Sequence, residues 1–245
     1  MRRLQIDRFA ATLGAYGRSA PDAELVGAFD ENWGRFEARW VANTGQYTPA
    51  DTVDYVAGRL GLALDGDLRP ALIDGFREVG ERIPLDLAPG IAETVERLRG
   101  AGLRIGIVCD VGLTPAPTLR ARLDAFGLLH AFDAWAFSDE TGWFKPAPEA
   151  FRPALDGMGI DDARSVAHVG DNPRTDVAGA VGLGMVAVRY TGLRDATSQG
   201  DSTGEGTAER EDRASDDPDP DAPPFPEADH VIDDHRTLPG LLGID

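Results

Sequence analysis

The chain has 245 residues, enough for one α/β domain or for a domain with a modest insertion, and either buries a sizeable core. Its 42 acidic side chains against 24 basic ones give a net charge of -18, which repels phosphate-rich partners at long range and argues against nucleic-acid and membrane-surface roles. A lone cysteine, Cys109, leaves no intrachain disulfide, and no stretch approaches the roughly 20 apolar residues that span a bilayer, so a cytoplasmic protein is expected.

The first 83 residues read as helical. Leu25, Phe29, Trp33, Phe36 and Trp40 recur at three- and four-residue steps and predict one apolar helical stripe. Thr48-Pro49-Ala50-Asp51 carries a start signal, with Thr48 as N-cap, Pro49 at the first helical position and an acid three residues after the cap. Leu68, Leu72, Phe76 and Val79 predict a further helix. Residues 1–83 are therefore expected to form an all-helical bundle or cap.

From residue 84 the pattern changes to alternating helix and strand, the grammar of βαβ units around a parallel sheet. Pro89 opens a helix with Ile91, Val95 and Leu98, and Leu103 to Cys109 is a strand. Thr114-Pro115 starts a helix carrying Leu119, Leu123 and Phe126. Residues 134–137 read as a strand, 148–155 as a short helix, 165–169 as a strand, 175–181 as a helix and 185–190 as a strand. His230-Val231-Ile232 reads as a last edge strand. Between Arg194 and Pro224 there is no Val, Ile, Leu, Met, Phe, Trp or Tyr, so residues 194–225 are expected to be a disordered acidic insert. The α/β core thus comprises 84–193 and 226–245.

Two places carry candidate chemistry. Residues 165–169 deliver Gly170, Asp171 and, five residues on, Asp176 to the carboxyl end of a strand, where ligands bind in open α/β sheets. Two hard oxygen ligands at one strand end suit Mg²⁺, whereas the plainer reading makes Asp171 a helix cap and Asp176 a solvated helical residue. Lys145, in the loop 138–148 and followed by Pro146, can present a compact positive charge to a phosphate or to a carboxylate nucleophile. His168 lies between apolar neighbours and reads as a packed histidine. Gly182-Leu183-Gly184 falls between a helix and a strand, the reverse of the dinucleotide fingerprint, and is set aside.

The order of elements, with Lys145-Pro146 inside 138–151 and Gly170-Asp171 through Asp176, resembles the haloacid dehalogenase-like hydrolases. The resemblance spans 84–193 and resumes near 228; the two segments match that family's third and fourth motifs. It implies a Rossmann-like parallel sheet with helices on both faces and the helical block as a cap inserted after the first strand. It also implies Mg²⁺-dependent transfer through an aspartyl intermediate, with Lys145 neutralising charge, Asp171 and Asp176 holding the metal, and a small phosphorylated metabolite as substrate.

Two departures accompany the resemblance. The family's second motif ends its strand with Ser or Thr and then Asn, which donate to the phosphate. Here Cys109-Asp110-Val111-Gly112 stands in that place, a thiol being a poor donor and Asp110 repelling a phosphate. The backbone amides of Val111 and Gly112 are the candidates to substitute as phosphate donors. The family's opening strand, ending Asp-x-Asp-x-Thr, is missing: in Ile6-Asp7-Arg8-Phe9-Ala10-Ala11-Thr12, Phe9 occupies the second acid's place, and the segment reads better as cap helix. Two functions follow. One is a phosphatase-type hydrolase whose attacking Asp lies outside this sequence; the other is a non-catalytic relative used for interaction or regulation. Oligomeric state is not legible.

Overall fold

A computed structural model describes residues 2–112, 114–192 and 225–244. The expected acidic insert at 194–225 lies, but for Phe225, outside the described residues. Two units divide the chain: one takes the described residues of Met1–Leu85, Cys109–His130 and Phe137–Phe144, the other those of Asp86–Val108, Ala131–Ala136 and Lys145–Asp245.

The first unit is built on helices α1 (Arg2–Ala15), α2 (Asp22–Ala42), α3 (Pro49–Arg59) and α4 (Leu68–Arg82), joined by α6 (Ala116–Ala125) and the short α7 (Ser138–Thr141). Each of the four long helices buries one face in a common core: Ile6, Phe9 and Leu13; Leu25 and Phe29; Val53 and Val56; Leu68, Leu72 and Phe76. Full burial of such a side chain stabilises by about 1.5–3 kcal/mol, which outweighs the modest helix propensity of Val and Phe. The Phe9 and Phe29 rings meet edge to face at 5.5 Å. The capping box predicted at Thr48 is present: the Asp51 amide donates to Thr48 Oγ1 at 3.2 Å and the Thr48 amide to Asp51 Oδ2 at 2.7 Å. The predicted stripe on α2 divides. Leu25 and Phe29 are core, whereas Trp33, Phe36 and Trp40 are half-buried, Trp33 stacking on Phe36 with 5.2 Å between ring centres. On α6 the predicted apolar face is shallow, with Phe126 at its end 38% exposed.

The second unit holds helix α5 (Ile91–Gly100), strands β1 (Gly106–Cys109) and β2 (Ala134–Phe137), of which Cys109 and Phe137 count with the first unit, and helix α8 (Pro148–Gly157). Strand β3 (Ala167–Gly170), helix α9 (Ala178–Leu183), strands β4 (Val186–Tyr190) and β5 (His230–Ile232), and a last turn of helix, α10 (Leu238–Leu241), complete it. Strands β3, β4 and β5 form a parallel sheet in that order, with Ala167 opposite Val186 and Val188 opposite His230. β1 pairs with β2 in a separate two-stranded sheet. One sheet face is covered by Ala150, Phe151, Val177 and Ala180; on the other, Leu98 and Leu238 pack with the strand residues Ala167, Val169, Val188 and Ile232, the two-sided burial that a parallel sheet requires. The fold is α/β with helices on both faces, as the alternating pattern predicts. The strand expected from Leu103 begins only at Gly106, and the helix expected from Thr175 begins as a wider π-type turn over Pro173–Val177 before α9 takes over.

Candidate functional site

Strand β3 sets the site. Its side chains alternate between faces, so His168 and Gly170 share one face. Gly170 lacks a side chain there, and Asp176 fills the space: a Cβ on Gly170 would lie 2.2 Å from Asp176 Cγ. The chain reverses quickly enough to do this because Asn172 caps the next turn, its Oδ1 accepting from the Arg174 amide at 2.9 Å and the Thr175 amide at 3.3 Å. Asn172 therefore takes the capping role, and Asp176 is buried rather than solvated.

The buried carboxylate of Asp176 gathers three donors. Lys145 Nζ donates to Oδ1 at 2.6 Å, His168 Nε2 lies 3.0 Å from the same oxygen, and the Asn172 amide donates to Oδ2 at 3.1 Å. A carboxylate can only accept, so His168 carries its hydrogen on Nε2. Burial works to raise the Asp176 pKa, but the hydrogen bond from His168 and the charge of Lys145 outweigh it and hold the group well below the usual carboxylate range. Lys145 Nζ also reaches the carbonyl of Val108 in β1 at 3.4 Å. The ammonium is thus fixed at the carboxyl ends of β1 and β3, its side chain only 10% exposed. Phe151 stands edge-on to the His168 ring at 5.1 Å and holds it in place.

The structure brings Lys145 and Asp176 into contact and adds His168, which the sequence reading assigned to packing. The two-residue step between His168 and Gly170 was the signal that could have found it. Asp171 is exposed and directly follows β3, one residue before the amide that Asp176 binds. Cys109, Asp110, Val111 and Gly112 fall in the other unit. There the Val111 amide donates to Ser138 Oγ at 2.9 Å, and the Val111 carbonyl accepts from Gln46 Nε2 at 3.1 Å. That amide already has a partner, whereas Gly112 is exposed.

The donors for Mg²⁺ are a partial set. Both oxygens of Asp176 are engaged by protein donors, and among the described residues no three His, Cys, Asp or Glu side chains lie close enough together to hold a metal ion. Asp171 and Asp176 do not make a complete Mg²⁺ site by themselves.

The same fold is found in L-2-haloacid dehalogenase from Xanthobacter autotrophicus, with a TM-score of 0.57 over 96% of this chain and 93% of that one, at 21% identity. The family model of haloacid dehalogenase-like hydrolases matches residues 7–184, and a second model, of HAD-hydrolase-like proteins, matches 143–234. The chain belongs to the haloacid dehalogenase-like hydrolase family. Among curated proteins, it is 35% identical over 100 residues to glyceraldehyde 3-phosphate phosphatase from Methanothermobacter thermautotrophicus, covering 41% of this chain and 42% of that protein. It is 29% identical over 178 residues to phosphoserine phosphatase from Thermus thermophilus, covering 69% of this chain and 66% of that protein. The chain spans about half the length of the curated relatives it matches, 53% of the first of them. No helix among the described residues is long and apolar enough to cross a membrane.

Proposed function

We propose that this chain carries the lysine and acid part of a phosphatase-type active site that acts on a small phosphorylated metabolite with Mg²⁺, in the cytoplasm. The attacking aspartate comes from outside the sequence. The reading is supported above all by the Lys145 ammonium, pinned between Asp176 and the Val108 carbonyl at the end of the sheet where ligands of α/β proteins bind. A fixed ammonium there neutralises phosphate charge without having to reorganise during reaction. Phosphatases among the relatives favour a phosphate ester over a haloacid as substrate. Asp171 and Asp176 would each contribute an oxygen to Mg²⁺, and the helical block of residues 1–83 would act as a cap domain. Gly112 remains the candidate backbone donor to phosphate from the 109–112 segment.

The test is a version extended upstream in frame, assayed for phosphate release with and without Mg²⁺. Lys145→Met is expected to lower kcat/KM by on the order of 10²–10³-fold, the scale of losing one preorganised electrostatic contact, and Asp171→Asn to raise the Mg²⁺ requirement. Equal activity of Asp171→Asn and the parent would reject the metal assignment. A second reading, a non-catalytic relative used for interaction, is favoured by the partial metal set and by the engagement of the Val111 amide. It predicts no phosphate release from any extended version.

A further inference from the structure

The 109–112 segment carries a thiol and a carboxylate where side-chain phosphate donors are expected, and its backbone is held with unusual care. Both polar groups of Val111 are engaged within the first unit: the amide donates to Ser138 Oγ at 2.9 Å, and the carbonyl accepts from Gln46 Nε2 at 3.1 Å. Val111 is buried, whereas Gly112 is exposed and a Cβ built on it meets nothing within 4 Å. The chain passes from a doubly bonded, buried residue to one in open space across a single peptide group.

That peptide group couples Gln46 to Gly112. Among the described residues only Lys145-Pro146 is cis, so Val111–Gly112 is trans, and in a trans peptide the C=O and the N–H lie in one plane and point in opposite directions. Fixing the Val111 carbonyl on Gln46 therefore aims the Gly112 N–H the other way. Without Gln46, the carbonyl keeps only Ser138 Oγ at 3.4 Å, longer than an ordinary O–H···O bond, and the wide torsional range of glycine lets the peptide turn.

Gln46 is itself held to this task. Its backbone amide donates to the Gly142 carbonyl at 2.9 Å, its carbonyl accepts from Arg39 Nη1 at 3.2 Å, and Nε2 also donates to the Tyr47 carbonyl at 3.2 Å. Two carbonyls beside one side-chain atom require that atom to be the nitrogen, which fixes the orientation of the amide. Oε1 is buried with no partner among the described residues. An acceptor buried and left unmade costs stability, so Gln46 adds less to the fold than its two side-chain bonds suggest. An apolar side chain of the same length would fill the space; only an N–H donor directs the Val111 carbonyl.

We infer that Gln46 is a positioning residue that sets the direction of the Gly112 amide and so makes it a preorganised donor to a phosphate oxygen. The inference rests on the phosphatase reading for the phosphate, while the hold on the peptide group rests on geometry alone. Preorganisation has a definite effect on affinity: an amide that points correctly only about a tenth of the time weakens phosphate binding about tenfold.

The experiment is amide relaxation by NMR on the isotope-labelled full chain, first alone and then titrated with inorganic phosphate at constant ionic strength. Gly112 is expected to have an order parameter near about 0.85 in the parent and below about 0.6 in Gln46→Met, with the thermal midpoint little changed. Phosphate is expected to shift the Gly112 resonance in the parent, with Kd about tenfold higher in Gln46→Met. Gln46→Glu keeps the shape but can only accept when ionised, and should behave like Gln46→Met. Ser138→Ala releases the preceding peptide group instead, and should move the Val111 amide resonance while Gly112 stays ordered. An unchanged Gly112 order parameter in both Gln46 variants, or the same phosphate Kd as the parent, would overturn the inference. So would a loss of order spread through the helices of the first unit in both variants, which would make Gln46 a structural residue. Loss of order at Gly112 with no phosphate response even in the parent would sink the phosphate role of Gly112 and leave Gln46 as a hold on the backbone alone.

Discussion

Replacing Asp176 by Asn tests the buried ion cluster directly. The Asp176 side chain is 6% exposed and that of Lys145 10%, so the substitution leaves an ammonium almost out of water without its anion. Removing one partner of a buried pair costs about 3–5 kcal/mol, because the desolvation of the remaining charge is no longer offset. Taking about 3 kcal/mol and roughly 2–4 °C per kcal/mol for a chain of this size, Tm falls by roughly 6–12 °C. Urea titration gives the free energy, and amide exchange of β3 and β4 assigns the loss to the unit that holds the cluster. The double variant Lys145→Met/Asp176→Asn removes both charges and is expected to cost less than the sum of the two single variants. The pH dependence has a definite sign. Asp176 titrates lower in the folded chain than its unfolded value near about 3.9, so its stabilisation is complete above that pH and is lost as pH falls through the folded value. Asp176→Asn should therefore flatten the stability curve below about pH 4. A loss under about 1 kcal/mol, additive with Lys145→Met, would refute the reasoning that the pair is a coupled, buried unit.

Gly170→Ala is expected to cost about 1–3 kcal/mol by urea titration, since its Cβ would overlap the Asp176 side chain, whereas Gly182→Ala in α9 meets nothing within 4 Å and should be neutral or stabilising. Thr48→Ala removes one half of the capping box on α3 and should lower stability by about 1 kcal/mol, read from the urea midpoint of the helical unit. The Asp234 carboxyl, bonded to the Arg236 side chain and amide, should titrate at about 2 by carbon-detected NMR, and Arg236→Gln should move it up toward the ordinary value.

What the sequence determined by itself was everything that depends on local periodicity. Three helices between residues 22 and 83, the Thr48 cap and the switch to alternating strand and helix after residue 84 follow from spacings that bury one face of each element, although the stripe on α2 is fully buried only at Leu25 and Phe29. The pairing of Lys145 with Asp176 was legible only through the resemblance, because the two residues lie 31 positions apart and no local rule links them. Tertiary structure decided the rest. His168 became a partner of Asp176 because Gly170 leaves room for that carboxylate beside it, and Asn172 took the cap because the turn brings its oxygen to the Arg174 and Thr175 amides. The division of the sheet between β1 and β3 also escapes a one-dimensional reading. An apolar strand looks the same in sequence whether one edge or both are paired; hydrogen bonds between strands are long-range, and only the folded chain reveals which backbone groups have found a neighbour.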